Sequence, residues 1–349
     1  MVGNIWPREF TWFDRLRTLP LPDAGPMPAI SERTAFLCAA AYTIFYVAPF
    51  YLSATLRTSA ANSRNTPVVI KARVRAVTLT CLTCLVVTAA VLVARGHYNV
   101  PQILRACGVW PVHPLDLFKV LLLVIVLFTC SLYESIVVDG DWRGWSLVAF
   151  KQGIWDDWVG FRNLVVAPAS EELVFRALVI PLFQLAQTGV TRIVFVTPLI
   201  FGVAHVHHLV EFIQSRTPPN RRIPPLALCL QGVVISLFQF AYTSIFGWFA
   251  AFVFLRTGNI WAAIVAHSFC NHMGVPRLWG RLGQSGYKTL PPQSVTPDVA
   301  ESMNSAMQGE QSLPIAWTVA YYVLMVVGAY AFSLLLSPLT ESKYALVRF

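Results

Sequence analysis

Apolar residues in this chain run in long unbroken blocks, not at the spacing of a helix with one face in water. A run of roughly 20 such residues is long enough to cross a bilayer as a helix. The strong runs are Ala35–Leu56, Val77–Ala94, Leu117–Val138, Leu226–Leu255 and Ile315–Leu336. Leu226–Leu255 carries no charge and exceeds one perpendicular span, so it is expected to tilt, to kink near Gly247 or to extend beyond the hydrocarbon. Three further runs contain polar residues: Asn163–Leu185, Ile193–Phe212 and Ile260–Met273. Together they predict about eight transmembrane helices in an all-α, polytopic membrane protein.

The segments between runs divide the chain. A polar N-terminal segment spans 1–33, a single helical transmembrane domain 34–340, and a C-terminal tail 341–349. The stretch 280–314 is the longest polar interval and is expected to be an exposed loop. The linker Arg57–Arg75 is basic and reads as a solvated, lipid-facing segment, and Ser215–Pro225 is rich in proline and arginine.

Composition sharpens this picture. Of 349 residues, 56% are hydrophobic and 12% charged; soluble domains carry about twice that charged share. Such a chain cannot hide its apolar residues in a water-soluble core. The net charge of +9 reads as basic loops facing anionic lipid. No basic run with interleaved aromatics suggests nucleic acid as a partner. The seven cysteines are odd in number and mostly lie in apolar runs, which argues against a disulfide framework. Cys81 and Cys84 read as small packing residues. The first residues lack the apolar core of a signal peptide, so a spanning helix is expected to direct the chain to its membrane.

An ionisable group inside a span is costly unless it is paired or lines a wet cavity. Three runs break the apolar rule near their middles: Ala-Ser-Glu171-Glu172-Leu-Val-Phe-Arg176, Phe201-Gly-Val-Ala-His205-Val-His207-His208 and His267-Ser-Phe-Cys-Asn271-His272. At roughly 100° per residue, Glu172 and Arg176 share a helix face, and Glu171 points away from it. The pair is expected to neutralise itself, leaving Glu171 free to face a cavity. His205 and His208 share a face, as do His267 and Asn271. A carboxylate beside an imidazole can orient and deprotonate water. A second histidine with an amide can hold the oxyanion of a tetrahedral intermediate. The chemistry is acyl hydrolysis without a covalent intermediate, since no serine or cysteine has comparable support.

These segments resemble the type II CAAX prenyl endopeptidases, the CAAX prenyl protease 2 family. The family pattern E-E-x-x-x-R, F-x-x-x-H and H-x-x-x-N stands here as Glu171-Glu172-Leu-Val-Phe-Arg176, Phe201-Gly-Val-Ala-His205 and His267-Ser-Phe-Cys-Asn271. The resemblance covers a motif core at 163–274. It implies removal of the C-terminal -aaX tripeptide from farnesylated or geranylgeranylated CaaX proteins, Ras-like small GTPases among them, in the endoplasmic reticulum membrane. It implies that Glu171 and His205 activate water, that His267 and Asn271 hold the oxyanion, and that Glu172 and Arg176 support them. His208 is a further supporting candidate; His207 has no fixed role.

No cofactor is expected, and metal-free hydrolysis is favoured because the zinc signature H-E-x-x-H is absent. Glu171, His205, His208 and His267 nevertheless approximate a zinc shell, so a zinc-dependent protease is one alternative. A proton-coupled transporter is another, since midplane glutamates and histidines also relay ions; the repeats or broken helix pairs usual in transporters are not evident. A non-catalytic scaffold has no reason to keep such costly buried groups.

Overall fold

The computed structural model describes residues 27–58, 63–217, 221, 223–283 and 313–347. Among these the regular structure is helical, with no strand. The helices are α1 (Glu32–Val47), α2 (Pro67–Gly96), α3 (Val100–Ala106), α4 (Pro114–Leu127), α5 (Thr129–Leu132), α6 (Leu147–Lys151), α7 (Trp158–Phe161), α8 (Ala167–Glu172), α9 (Val179–Leu185), α10 (Val190–Ala204), α11 (His207–Arg216), α12 (Leu226–Thr257), α13 (Ile260–Met273) and α14 (Ile315–Thr340).

Five helical stretches are long and apolar enough to cross a membrane, and a sixth counts if α4 and its bent continuation Thr129–Val138 form one span. The expectation of about eight is not met on that criterion, for identifiable reasons. α13 has 14 residues, and at about 1.5 Å per residue it is too short to span alone. The 163–185 run is split by wide π turns at Arg162–Val166 and Leu173–Leu178. The 117–138 run bends by 72° at Phe128. Leu226–Thr257 is one continuous helix of 32 residues.

Gly247 is a packing point on α12. A Cβ there would lie 2.6 Å from Pro198 Cβ of α10. A Cβ on Gly202 would likewise lie 2.6 Å from Ser244 Oγ, so the two glycines let α10 and α12 approach closely.

The core is built around α9 and the π turn before it. Val174, Ala177, Leu178, Ile180, Leu182 and Phe183 are all buried. A segment apolar on every side must be surrounded, and α1, α2 and α10 enclose this one. α13 lies against α4 and α8, and α14 packs along α4. Outward faces of α2, α12 and α14 expose Leu79, Val86, Phe238 and Val326, as lipid contact requires. Trp142, Trp145 and Trp155 are exposed on the short helical segments between α5 and α7, where amphipathic rings suit the membrane interface.

Two loop expectations change. α2 starts at Pro67, whose fixed φ suits a first helical turn, so Lys71, Arg73 and Arg75 sit on a helix. Arg73 turns inward, donating to the Leu56 carbonyl and to Glu211. Of the 280–314 stretch, residues 284–312 lie outside the described residues, and Leu282 is buried beside Cys130 and Tyr321. Most of the 1–33 segment also lies outside them.

Candidate active site

Glu172 anchors the centre. It is fully buried on α8, and its Oε1 accepts from Arg176 Nη1 at 2.8 Å and from His267 Nδ1 at 2.8 Å. The expected Glu172–Arg176 pair therefore forms, and it also captures the third motif. The Arg176 guanidinium lies 4.5 Å from the Phe201 ring centroid, a cation–π contact that partly replaces water for a buried charge.

Glu171 is left outside this pair, as its rotation about the helix axis requires. Its Oε2 lies 3.8 Å from His267 Nε2 and 4.0 Å from His205 Nε2. Both imidazoles are oriented from behind. His205 Nδ1 lies 2.9 Å from the Phe201 carbonyl oxygen and donates to it. His267 Nδ1 donates to Glu172. A neutral imidazole with its proton on Nδ1 presents a bare lone pair at Nε2. The F-x-x-x-H spacing thus has a cause: the carbonyl one turn back fixes the tautomer. The Phe201 ring also supports His205, with centroids 4.6 Å apart.

Asn271 has a structural bond. Its Nδ2 donates to the Asn163 carbonyl at 3.0 Å. In the π turn before α8, the Ala167 N–H reaches back five residues to the Arg162 carbonyl. The same pattern would give Asn163 the N–H of residue 168, but that residue is proline and has none. A part-buried carbonyl left without a donor is costly, and the Asn271 amide supplies one. One amide proton of Asn271 is therefore committed and one remains.

A cavity of about 120 Å³ lies in front of Glu171 and His205. Its apolar wall includes Phe50, Ile70, Val74, Val77 and Phe175. His267 and Asn271 stand one layer behind this wall, touching it through Glu171 and Asn163. Of the residues the sequence singles out for catalysis, Glu171 and His205 line the cavity, and His267 and Asn271 do not.

His208 belongs to a second cluster. Its Nδ1 lies 3.2 Å from Glu211 Oε2, and Glu211 also pairs with Arg73 at 2.6 Å and Arg64 at 3.5 Å. The helix turns between His205 and His207, so His205 and His208 lie on consecutive helices with ring centroids 5.9 Å apart. Sequence reasoning passes over Glu211, although it sits inside the Ile193–Phe212 run and three residues after His208. The cost of a buried charge, applied to it, flags it. Arg64, Arg73, Arg162 and Asn163, which also line the cavity, carry no comparable signal because they precede or flank the apolar runs.

Among the described residues, the three side chains whose ligand atoms gather within 4.8 Å of one another are His207, His208 and Glu211, not Glu171, His205 and His267. The first set already shares its carboxylate with two arginines. The second is more open than the roughly 3.3 Å ligand separation of a tetrahedral zinc shell with bonds of about 2.0 Å.

Comparison with known proteins points to one family. Residues 153–273 match the type II CAAX prenyl endopeptidase Rce1-like family. The probable CAAX prenyl protease 2 of Schizosaccharomyces pombe is 35% identical over 243 residues, covering 69% of this chain and 81% of the relative. CAAX prenyl protease 2 of Homo sapiens is 37% identical over 153 residues, covering 44% of this chain and 42% of the relative. The Arabidopsis thaliana protein of that name is 40% identical over 119 residues, covering 34% and 35%. With the latter two, the aligned stretch is less than half of either chain. No solved structure matches. Three motifs in one buried corner, and similarity over most of the fission-yeast protein, make this chain a member of the CAAX prenyl protease 2 family.

Proposed function

We propose that this chain is a membrane-embedded endopeptidase that removes the C-terminal -aaX tripeptide from prenylated CaaX proteins. We place it in the endoplasmic reticulum membrane, with Ras-like small GTPases among its substrates. The observation that carries the reading is Glu171 Oε2, which with His205 lines the cavity, facing the Nε2 atoms of His205 and His267 at 4.0 and 3.8 Å.

Water held between Glu171 and His205 donates one hydrogen bond to the carboxylate and one to the bare Nε2. Its lone pair is then aimed into the cavity at a peptide carbonyl. Glu171 takes the proton as the carbonyl is attacked and returns it to the leaving amine. The family resemblance gives the oxyanion to His267 and to the remaining Asn271 amide proton. The apolar wall suits the aliphatic side chains of the tripeptide and the prenyl chain.

A zinc-dependent version of the reaction is the second reading, favoured by two imidazoles each oriented by a bond at Nδ1, as metal-binding histidines usually are. Glu171, His205 and His267 would hold the ion, which would supply Lewis-acid activation of water. The wide spacing of the three favours the metal-free reading.

The test is release of the tripeptide from a prenylated CaaX peptide by the purified full chain, with and without a chelator. Release by the wild type that is lost in Glu171→Ala and His205→Ala and survives chelation is expected. Release that persists in both variants rejects the mechanism. Loss on chelation with recovery on adding zinc selects the second reading.

A further inference from the structure

The far end of the cavity holds a charge imbalance that hydrolysis does not use. From Glu171 the wall continues through His205 to His208, and His208 contacts Glu211, which is 4% exposed. Arg73 and Arg64 both pair with Glu211. Arg162 reaches the same place, donating to the Arg64 carbonyl at 3.0 Å and to Asn65 Oδ1 at 3.2 Å. All three arginines line the cavity. Three guanidiniums thus gather near the Glu211 carboxylate, with Asp157 acting on Arg162, an excess of one positive charge among these groups. Burial, with Arg162 and Arg73 nearby, brings the Arg64 guanidinium down to about 10, which leaves it charged at neutral pH.

Buried cations in excess are costly unless an anion joins them. The planar guanidinium fork matches a carboxylate best. An endopeptidase that always leaves a tripeptide must measure from the chain end, and an extended tripeptide spans roughly 10 Å. Along the wall, Glu171 Oε2 stands 4.0 Å from His205 Nε2, and the His205 and His208 ring centroids are 5.9 Å apart. We infer that Arg64, held by Glu211 and flanked by Arg73 and Arg162, forms a subsite for the free C-terminal carboxylate of the peptide, so that the scissile bond lies at Glu171. This rests on the endopeptidase reading above.

Binding separates the two ideas. The full-length Glu171→Gln protein in neutral detergent is titrated with two fluorescent prenylated CaaX peptides, one ending in a carboxylate and one in an amide. The acid is expected to bind roughly 10-fold to 100-fold more tightly, the scale of a charge-assisted hydrogen bond in a buried site. Arg64→Gln in that background removes the preference by weakening the acid alone, and Arg64→Lys restores part of it. Equal binding of acid and amide overturns the subsite, and this comparison needs no arginine variant to fold. Equal weakening of both peptides by Arg64→Gln also overturns it, because that is the mark of a structural residue. Failure of the otherwise unaltered enzyme to cleave either peptide rejects the endopeptidase reading, while an acid preference in binding still upholds the carboxylate site.

Discussion

His267 Nδ1 donates to Glu172 Oε1 at 2.8 Å, joining α13 to α8 through a carboxylate with no access to water. The same oxygen accepts from Arg176, so one atom holds a charge and orients an imidazole. Glu172→Gln removes the negative charge and leaves Arg176 buried without its counter-ion. Breaking such a pair costs about 3–5 kcal/mol. The variant is expected to show a clear drop in unfolding temperature in detergent, together with loss of peptide cleavage. A variant as stable as wild type would contradict the anchoring role.

Glu171 is expected to behave in the opposite way. Its two imidazole neighbours stand at 3.8 and 4.0 Å, beyond hydrogen-bond range. Glu171→Gln is nearly the same size and should leave the unfolding temperature within a few degrees of wild type. Activity should fall by roughly 100-fold to 10,000-fold, the range of a lost general base. Rate and stability measured on one preparation check the contrast with Glu172.

Asn271 and Pro168 should be coupled. Asn271→Ala strands the Asn163 carbonyl, with an expected cost of about 1–3 kcal/mol. Pro168→Ala returns an N–H that can reach that carbonyl within the π turn. The Asn271→Ala penalty should therefore shrink in the Pro168→Ala background, a non-additivity that a double-mutant cycle of unfolding free energies reads directly. Strict additivity would show that the two residues do not share this carbonyl.

Gly247 offers a test of packing away from the chemistry. An alanine methyl would lie 2.6 Å from Pro198 Cβ and 3.2 Å from Arg176 Nη2. Gly247→Ala is expected to destabilise by about 1–3 kcal/mol through overpacking. It should also lower activity, because α10, which carries His205 at its end, must shift to make room. An unchanged unfolding temperature would mean that the helices separate without cost.

The fold class and the buried polar cluster were legible in the sequence because both follow from one rule, the cost of polarity in lipid. Long apolar runs give helices, and the few ionisable groups within them mark the site. Helical spacing alone pairs Glu172 with Arg176 and frees Glu171. The features that stayed hidden depend on backbone departures and on residues near the ends of runs. The π turns at Arg162–Val166 and Leu173–Leu178 leave no periodic signature, so 163–185 reads as one plain span. Arg73 reads as a solvated cation because its neighbours are basic, yet Glu211, 138 positions away, draws it inward. The bond from Asn271 to Asn163 makes sense only once Pro168 is seen to close a widened turn.

The two widened turns on either side of α8 also set a tolerance. Each accommodates one residue more than a regular helical turn, and one residue rotates the helix beyond it by roughly 100°. Deleting a single amino acid within Arg162–Val166 would swing Glu171 off the cavity and bring a different face of α8 forward, even with every motif letter intact. In this part of the chain, residue count constrains the protein as tightly as residue identity does.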